Sequence, residues 1–280
     1  LALSVAGQVR DRRAMQVAML TTAHPALNAL EGRERGRIPQ EAQESIRLFF
    51  HGACLDATDF VKEICSTRFA ERLSASLTED EQHEFIATTF HRTVVTPEQV
   101  LLRVDQIAEK VGKQLDENWR DCCATLTQSW RAKVGSFSAS PGIGQMVLRT
   151  ESLIRERLTA TIATASRIVD KPAFTEIGSS VGWAALQTLP MAPINPYMRC
   201  LAFVARAVWV ATPHLLELLR HRESDYQQQI TQQLAQLGNR LAIEFATDVK
   251  RRVAELHRWR REALASYVEE HVESSVPLFG

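Results

Sequence analysis

Cysteine is scarce in this chain: five in 280 residues, at Cys54, Cys65, Cys122, Cys123 and Cys200. The number is odd and no CxxC pair occurs, so neither a disulfide framework nor a zinc knuckle is indicated. Reduced thiols in a reducing, cytoplasmic compartment are the expectation. Net charge is also absent, with 33 Lys plus Arg against 33 Asp plus Glu. Binding to phosphate backbones needs excess positive charge, so the neutral balance argues against general affinity for nucleic acid, and no nucleic-acid partner is expected. Glycine and proline are sparse, at 12 and 10 residues, and most prolines sit at inferred helix boundaries, a pattern that favours helix. No uninterrupted apolar run is long enough to span a bilayer. The opening LALSVAGQVRDRR is too short in its apolar part for a signal peptide, and its charges follow rather than precede it. The first residue is Leu1, not Met, so the chain reads as a fragment or a processed product. Strand-like alternation of useful length and a repeat of constant period are missing. So are the motifs GxxxxGK[ST], GxSxG and HExxH. The expectation is a chain that is not an enzyme and takes no cofactor or metal.

What is present is long helical periodicity. With 45% hydrophobic and 24% charged residues, the composition is that of an ordinary folded protein. Residues 2–30 are helix-compatible, with a break or kink expected at His24-Pro25. Residues 31–39, EGRERGRIP, read as a charged loop with solvated arginines. From Gln40 to Ser76, apolar residues recur at spacings of three and four through Ile46, Phe50, Ala53, Ala57, Phe60 and Ile64. Thr78 with Glu81 forms a capping box for a short helix ending near Arg92. Thr96-Pro97-Glu98-Gln99 starts another helix, whose stripe runs from Val100 through Trp119, Cys122 and Trp130 to Val134. Residues 135–144, GSFSASPGIG, predict a hinge. A further helix carries Ile143, Val147, Ile154, Leu158, Ile162 and Val169 on one face. The last, from Pro213 to about Ser274, has Gly238-Asn239 as its one place for a kink. Its arginines 258, 260 and 261 read as part of a solvated, ion-paired face. His83 lies among carboxylates, but Asp80-x-x-His83 is not the Glu-x-x-His pattern of metal-binding bundles.

Between the last two long helices lies a segment of different character. Residues 177–216 carry only two formal charges, Arg199 and Arg206, and are punctuated by Pro190, Pro193 and Pro196. The sequence therefore predicts an all-α, elongated bundle of long antiparallel helices, with a short apolar helical connection near residues 177–213. Two domains are expected, 1–135 as an N-terminal helical bundle and 136–280 as a long helical hairpin with an apolar connecting segment, with one continuous elongated domain as the alternative. The expected function is a non-catalytic scaffold, stalk or adaptor that binds another protein through helix faces. Candidate partner-binding residues are Trp183, Leu189, Met191, Tyr197, Arg199, Phe203, Arg206 and Trp209, the large apolar and cationic side chains of that segment. A second expectation from the same segment is contact with a membrane surface. Long helices flanking an apolar tip are broadly similar in architecture to the stalks of dynamin-like proteins and to helical pore-forming toxins; that similarity transfers no residue and no activity. A third possibility is an enzyme with a site formed between helices. Oligomeric state is not legible from these patterns.

Overall fold

The computed structural model describes residues 2–64, 66–74, 78–134, 141–169, 174, 177–178 and 213–275. Among these, every regular element is an α-helix: α1 (Ala2–Ile64), α2 (Thr67–Ser74), α3 (Glu79–Thr93), α4 (Pro97–Val134), α5 (Pro141–Ile168) and α6 (Pro213–Ser275). The protein is an all-α helical bundle, as the periodicity predicts. The candidate residues Trp183, Leu189, Met191, Tyr197, Arg199, Phe203, Arg206 and Trp209 lie outside the described residues, as do Gly135 to Ser140 of the expected hinge.

The helix starts follow local rules. The Thr78 hydroxyl accepts from the Glu81 N–H at 3.2 Å, while the Glu81 carboxylate accepts from the Thr78 N–H at 2.9 Å. Thr96 and Gln99 repeat this reciprocal arrangement at the head of α4, at 3.1 and 3.0 Å. Each pairing satisfies amide donors that the first turn leaves without helical partners.

The start of the chain departs from expectation. α1 runs unbroken through Pro25, through the glycines and arginines of 31–39, and through Pro39. Its buried stripe explains why: Leu27, Leu30, Glu34, Ile38, Ala42 and Ile46 recur every three or four residues and are all 2% exposed or less. A proline inside a helix costs about 3 kcal/mol, an amount that burial of several such side chains offsets. Pro25 and Thr21 are both exposed, so water can reach the carbonyl that Pro25 leaves without a donor.

Contacts divide the chain into two units assembled from non-consecutive segments. The first combines residues 1–43, 105–164 and 245–280. Here four helical segments pack around Met19, Leu27, Leu30, Trp119, Leu126, Trp130, Leu264, Tyr267 and Val268. Cross-contacts fix their directions. Trp130 Nε1 donates to the Met19 carbonyl at 3.1 Å and Asn118 meets Glu34, so α1 and α4 are antiparallel. Gly112 faces Leu158 and Arg120 faces Glu151, so α4 and α5 are antiparallel. Arg12 meets the Glu273 carbonyl and Arg261 meets Glu31, so α1 and α6 are antiparallel as well. On α5, Thr150 and Thr161 take buried stripe positions and donate to the carbonyls of Met146 and Arg157, four residues back.

The second unit combines residues 44–104 and 165–244. Phe60 and Phe90 meet edge to face with centroids 5.3 Å apart, a favoured geometry for aromatic pairs. Gly178 sits directly against the Phe90 ring. Cys54 reaches the Thr231 carbonyl and Gln227 donates to Thr58, which sets α1 and α6 antiparallel in this unit too. Gly238, the expected kink, is instead buried in a continuous helix. A Cβ there would stand 2.5 Å from Phe50 Cγ, so the glycine serves the close approach of two helices.

Candidate functional site

The residues with the most unusual chemistry lie inside the first unit, where the sequence predicts a solvated face. Arg260 is 0% exposed and Glu34 is 0% exposed. Their positions are set by helical spacing: Glu34 falls four residues after Leu30 on α1, and Arg260 four after Leu256 on α6. Arg260 Nη1 donates to Glu34 Oε2 at 2.7 Å, and Nη2 donates to the Leu115 carbonyl at 2.7 Å. His257 Nε2 lies 2.8 Å from the same Glu34 oxygen, and Asn118 Nδ2 donates to Oε1 at 3.2 Å. The guanidinium lies over the Trp119 ring, 4.9 Å from its centroid. Burial pulls the Arg260 pKa below its ordinary value, against the opposing pull of Glu34. The cluster thus links α1, α4 and α6 through one carboxylate.

This arrangement is a poor place for chemistry. Neither Glu34 nor Arg260 is open to solvent, and the nearby Cys122 and Cys123 are buried as well. Burial pushes the Cys123 thiol up to about 12 and raises Cys122 as well, which keeps both protonated and unreactive at neutral pH. A gap of about 10 Å³ lies among Leu115, Ile154, Arg157, Leu158, Val249, Arg252, Val253 and Leu256, room for one water molecule at most. The cluster ties α1, α4 and α6 together through hydrogen bonds among buried side chains and the Leu115 carbonyl.

One concave feature of the same unit lies on the surface, between α4 and α5. It is a groove of about 360 Å³, within the range of sites that take a side chain or a small ligand. Its floor is Ala108 and Gly112 of α4 with Ile154, Leu158 and Ile162 of α5. The small residues on α4 create the space, and Leu158 Cδ1 already approaches to 3.0 Å of where a Gly112 Cβ would stand. Carboxylates dominate the rim: Asp105, Glu109, Asp116 and Glu151, against Lys113 and Arg155. Lys113 bonds Glu109 at 2.7 Å, and Arg155 lies 3.5 Å from Glu151. Arg120 bridges Asp116 at 2.8 Å and Glu151 at 3.5 Å. Burial raises the Asp116 pKa; Arg120 opposes this and Glu151 adds to it.

Among the described residues no three His, Cys, Asp or Glu side chains gather to hold a metal ion, and no described helix is long and apolar enough to cross a membrane. Sequence reasoning missed both the cluster and the groove. Glu34 and Arg260 fill gaps in otherwise apolar stripes, but the charged neighbours of each read locally as a solvated stretch. The signal for the groove was weaker: Ala108 and Gly112 are two small residues four apart on a long helix. Comparison with known proteins finds no matching family, no matching curated protein and no matching solved structure.

Proposed function

We propose that the protein is a non-catalytic helical scaffold or adaptor that binds another protein through its helix faces, with the α4–α5 groove as one docking place. The observation that supports this is the groove itself. It combines an apolar floor of Ile154, Leu158 and Ile162 with a charged rim, on two rigid helices. A helix or an extended segment of a partner can lay one side chain into it, the mode by which helical surfaces recognise peptides. The strongly perturbed groups of the unit are locked inward, in contacts that hold helices together. The reading places the chain in the reducing cytoplasm, where Cys122 and Cys123 remain thiols.

The test is a photo-crosslinking amino acid at position 155, on the groove rim, with position 124 on the exposed side of α4 as control. A discrete crosslinked product from position 155 that is absent from position 124 supports the docking place. Identical products from both positions, or none from 155, overturn it. The charge-poor segment 177–213 supports a second reading, contact with a membrane surface. Co-sedimentation with liposomes separates it from the adaptor reading.

A further inference from the structure

The groove's charge points to the kind of partner. We infer that the α4–α5 groove receives a basic side chain, Lys or Arg, projected by an amphipathic helix of the partner protein. This rests on the adaptor reading above. Three features of the groove carry it.

First, the rim is acidic: four carboxylates stand against Lys113, Arg155 and the adjoining Arg120. All three cations are engaged, Lys113 with Glu109, Arg155 with Glu151, and Arg120 with Asp116 and Glu151, which leaves Asp105 as the carboxylate still to be neutralised. Asp105 has no ion-pair partner among the described residues and stands exposed at one end of the groove. An incoming cation therefore meets unneutralised carboxylate, whereas an incoming carboxylate meets cations that are already taken.

Second, the floor suits the stem of a long basic side chain. Lys and Arg cover apolar surface with their methylenes while the charged head reaches a polar edge. Ile154, Leu158 and Ile162 provide that surface along α5, and Asp105 and Glu151 provide carboxylates at the edges. A purely apolar side chain would cover Asp105 without giving it a partner, a cost that a cation avoids.

Third, Asp116 gains from such an occupant. Its carboxyl is held above the ordinary range by burial and by Glu151 beside it. A second cation near Asp116 favours its ionised form, so binding and deprotonation of that carboxyl reinforce each other.

The experiment uses the full chain with isotope-labelled isoleucine and leucine methyls. Two model peptides serve as probes, an amphipathic helix of the repeat LKKLLKL and its counterpart LEELLEL. The inference predicts saturable shifts of the Ile154, Leu158 and Ile162 methyls with the lysine peptide, and binding at least about tenfold weaker for the glutamate peptide. Replacing Asp105→Asn together with Glu151→Gln should weaken the lysine peptide by about tenfold. Asp105 is exposed and Glu151 half-buried, and the melting temperature of the double variant reports whether the fold is kept. Equal binding of both peptides, or an unchanged affinity in the double variant, overturns the charge assignment and leaves the adaptor reading standing. Shifts at these methyls with dodecylamine but with neither peptide assign the groove to a small cationic amphiphile and overturn the inference. Failure of the adaptor reading itself is read separately, by the crosslink from position 155.

Discussion

Replacing Arg260 by Met removes the cation from a cluster in which both charged partners are 0% exposed. The substitution keeps a long unbranched side chain over Trp119, so packing changes little. What changes is the electrostatics: Glu34 keeps only His257 and Asn118, and the Leu115 carbonyl loses its donor. Removing one partner of a buried ion pair costs about 3–5 kcal/mol, because it strands the other charge. For a chain of this size that is a fall in melting temperature of roughly 6–20 °C. Glu34→Leu should cost a comparable amount by stranding Arg260. The double variant Glu34→Leu/Arg260→Met strands neither charge. It should lose about 1 kcal/mol for the Leu115 carbonyl and recover most of the rest, since apolar replacements of buried pairs are often neutral. The assay is chemical denaturation of all four proteins, read as a double-mutant cycle with an interaction energy of a few kcal/mol. A single variant that costs less than about 1 kcal/mol, or a double variant as damaged as the sum of the singles, refutes the reasoning.

Four further outcomes follow from other parts of the structure. Gly238→Ala should destabilise by about 1–3 kcal/mol because its Cβ would overlap Phe50. Gly36→Ala on α1, with nothing within 4 Å, should instead stabilise by up to about 1 kcal/mol, so denaturant midpoints should move in opposite directions. The Glu31 carboxyl is held below its ordinary 4.5, burial being outweighed by the hydrogen bond and charge of Arg261 with help from Arg35. A depressed carboxylate stabilises above its unfolded pKa and loses that contribution as pH falls through the folded one. The stability gap between the parent and Glu31→Gln should therefore be full near pH 7 and close below pH 4.5. Finally, Cys123, raised to about 12, should resist iodoacetamide in the native protein at pH 8 and react on unfolding, as read by peptide mass mapping. Rapid native labelling of Cys123 would contradict its burial.

The fold class was legible because long stripes at spacings of three and four leave few alternatives. Thr78–Glu81 and Thr96–Gln99 marked helix starts by local chemistry that tertiary structure had no reason to override. The passage through residues 31–39 was not legible. Glycine, arginine and proline there have local preferences for a loop, and the stripe seemed to lapse because one of its core positions is Glu34. A carboxylate becomes a core residue only when its counter-charge arrives from 226 positions further along the chain. Arg260 was hidden for the reciprocal reason, among Arg258 and Arg261, where local composition indicates a solvated face. Gly238 looked like a weak point in a helix, and only the partner ring of Phe50 shows that it is a contact. The groove depends on two small residues on α4 meeting three larger ones on α5, a relation between helices that no single stretch of sequence contains.

The adaptor reading is tested most directly by blocking the groove without disturbing the fold. Thr159 is exposed on its rim, and substitutions at such surface positions usually change stability by less than about 0.5 kcal/mol. The measurement is the yield of the crosslink from position 155 in Thr159→Trp relative to the parent, taken together with the melting temperature. The account predicts that the crosslink is lost while the melting temperature stays within about 2 °C. An undiminished crosslink in a folded Thr159→Trp protein would contradict it.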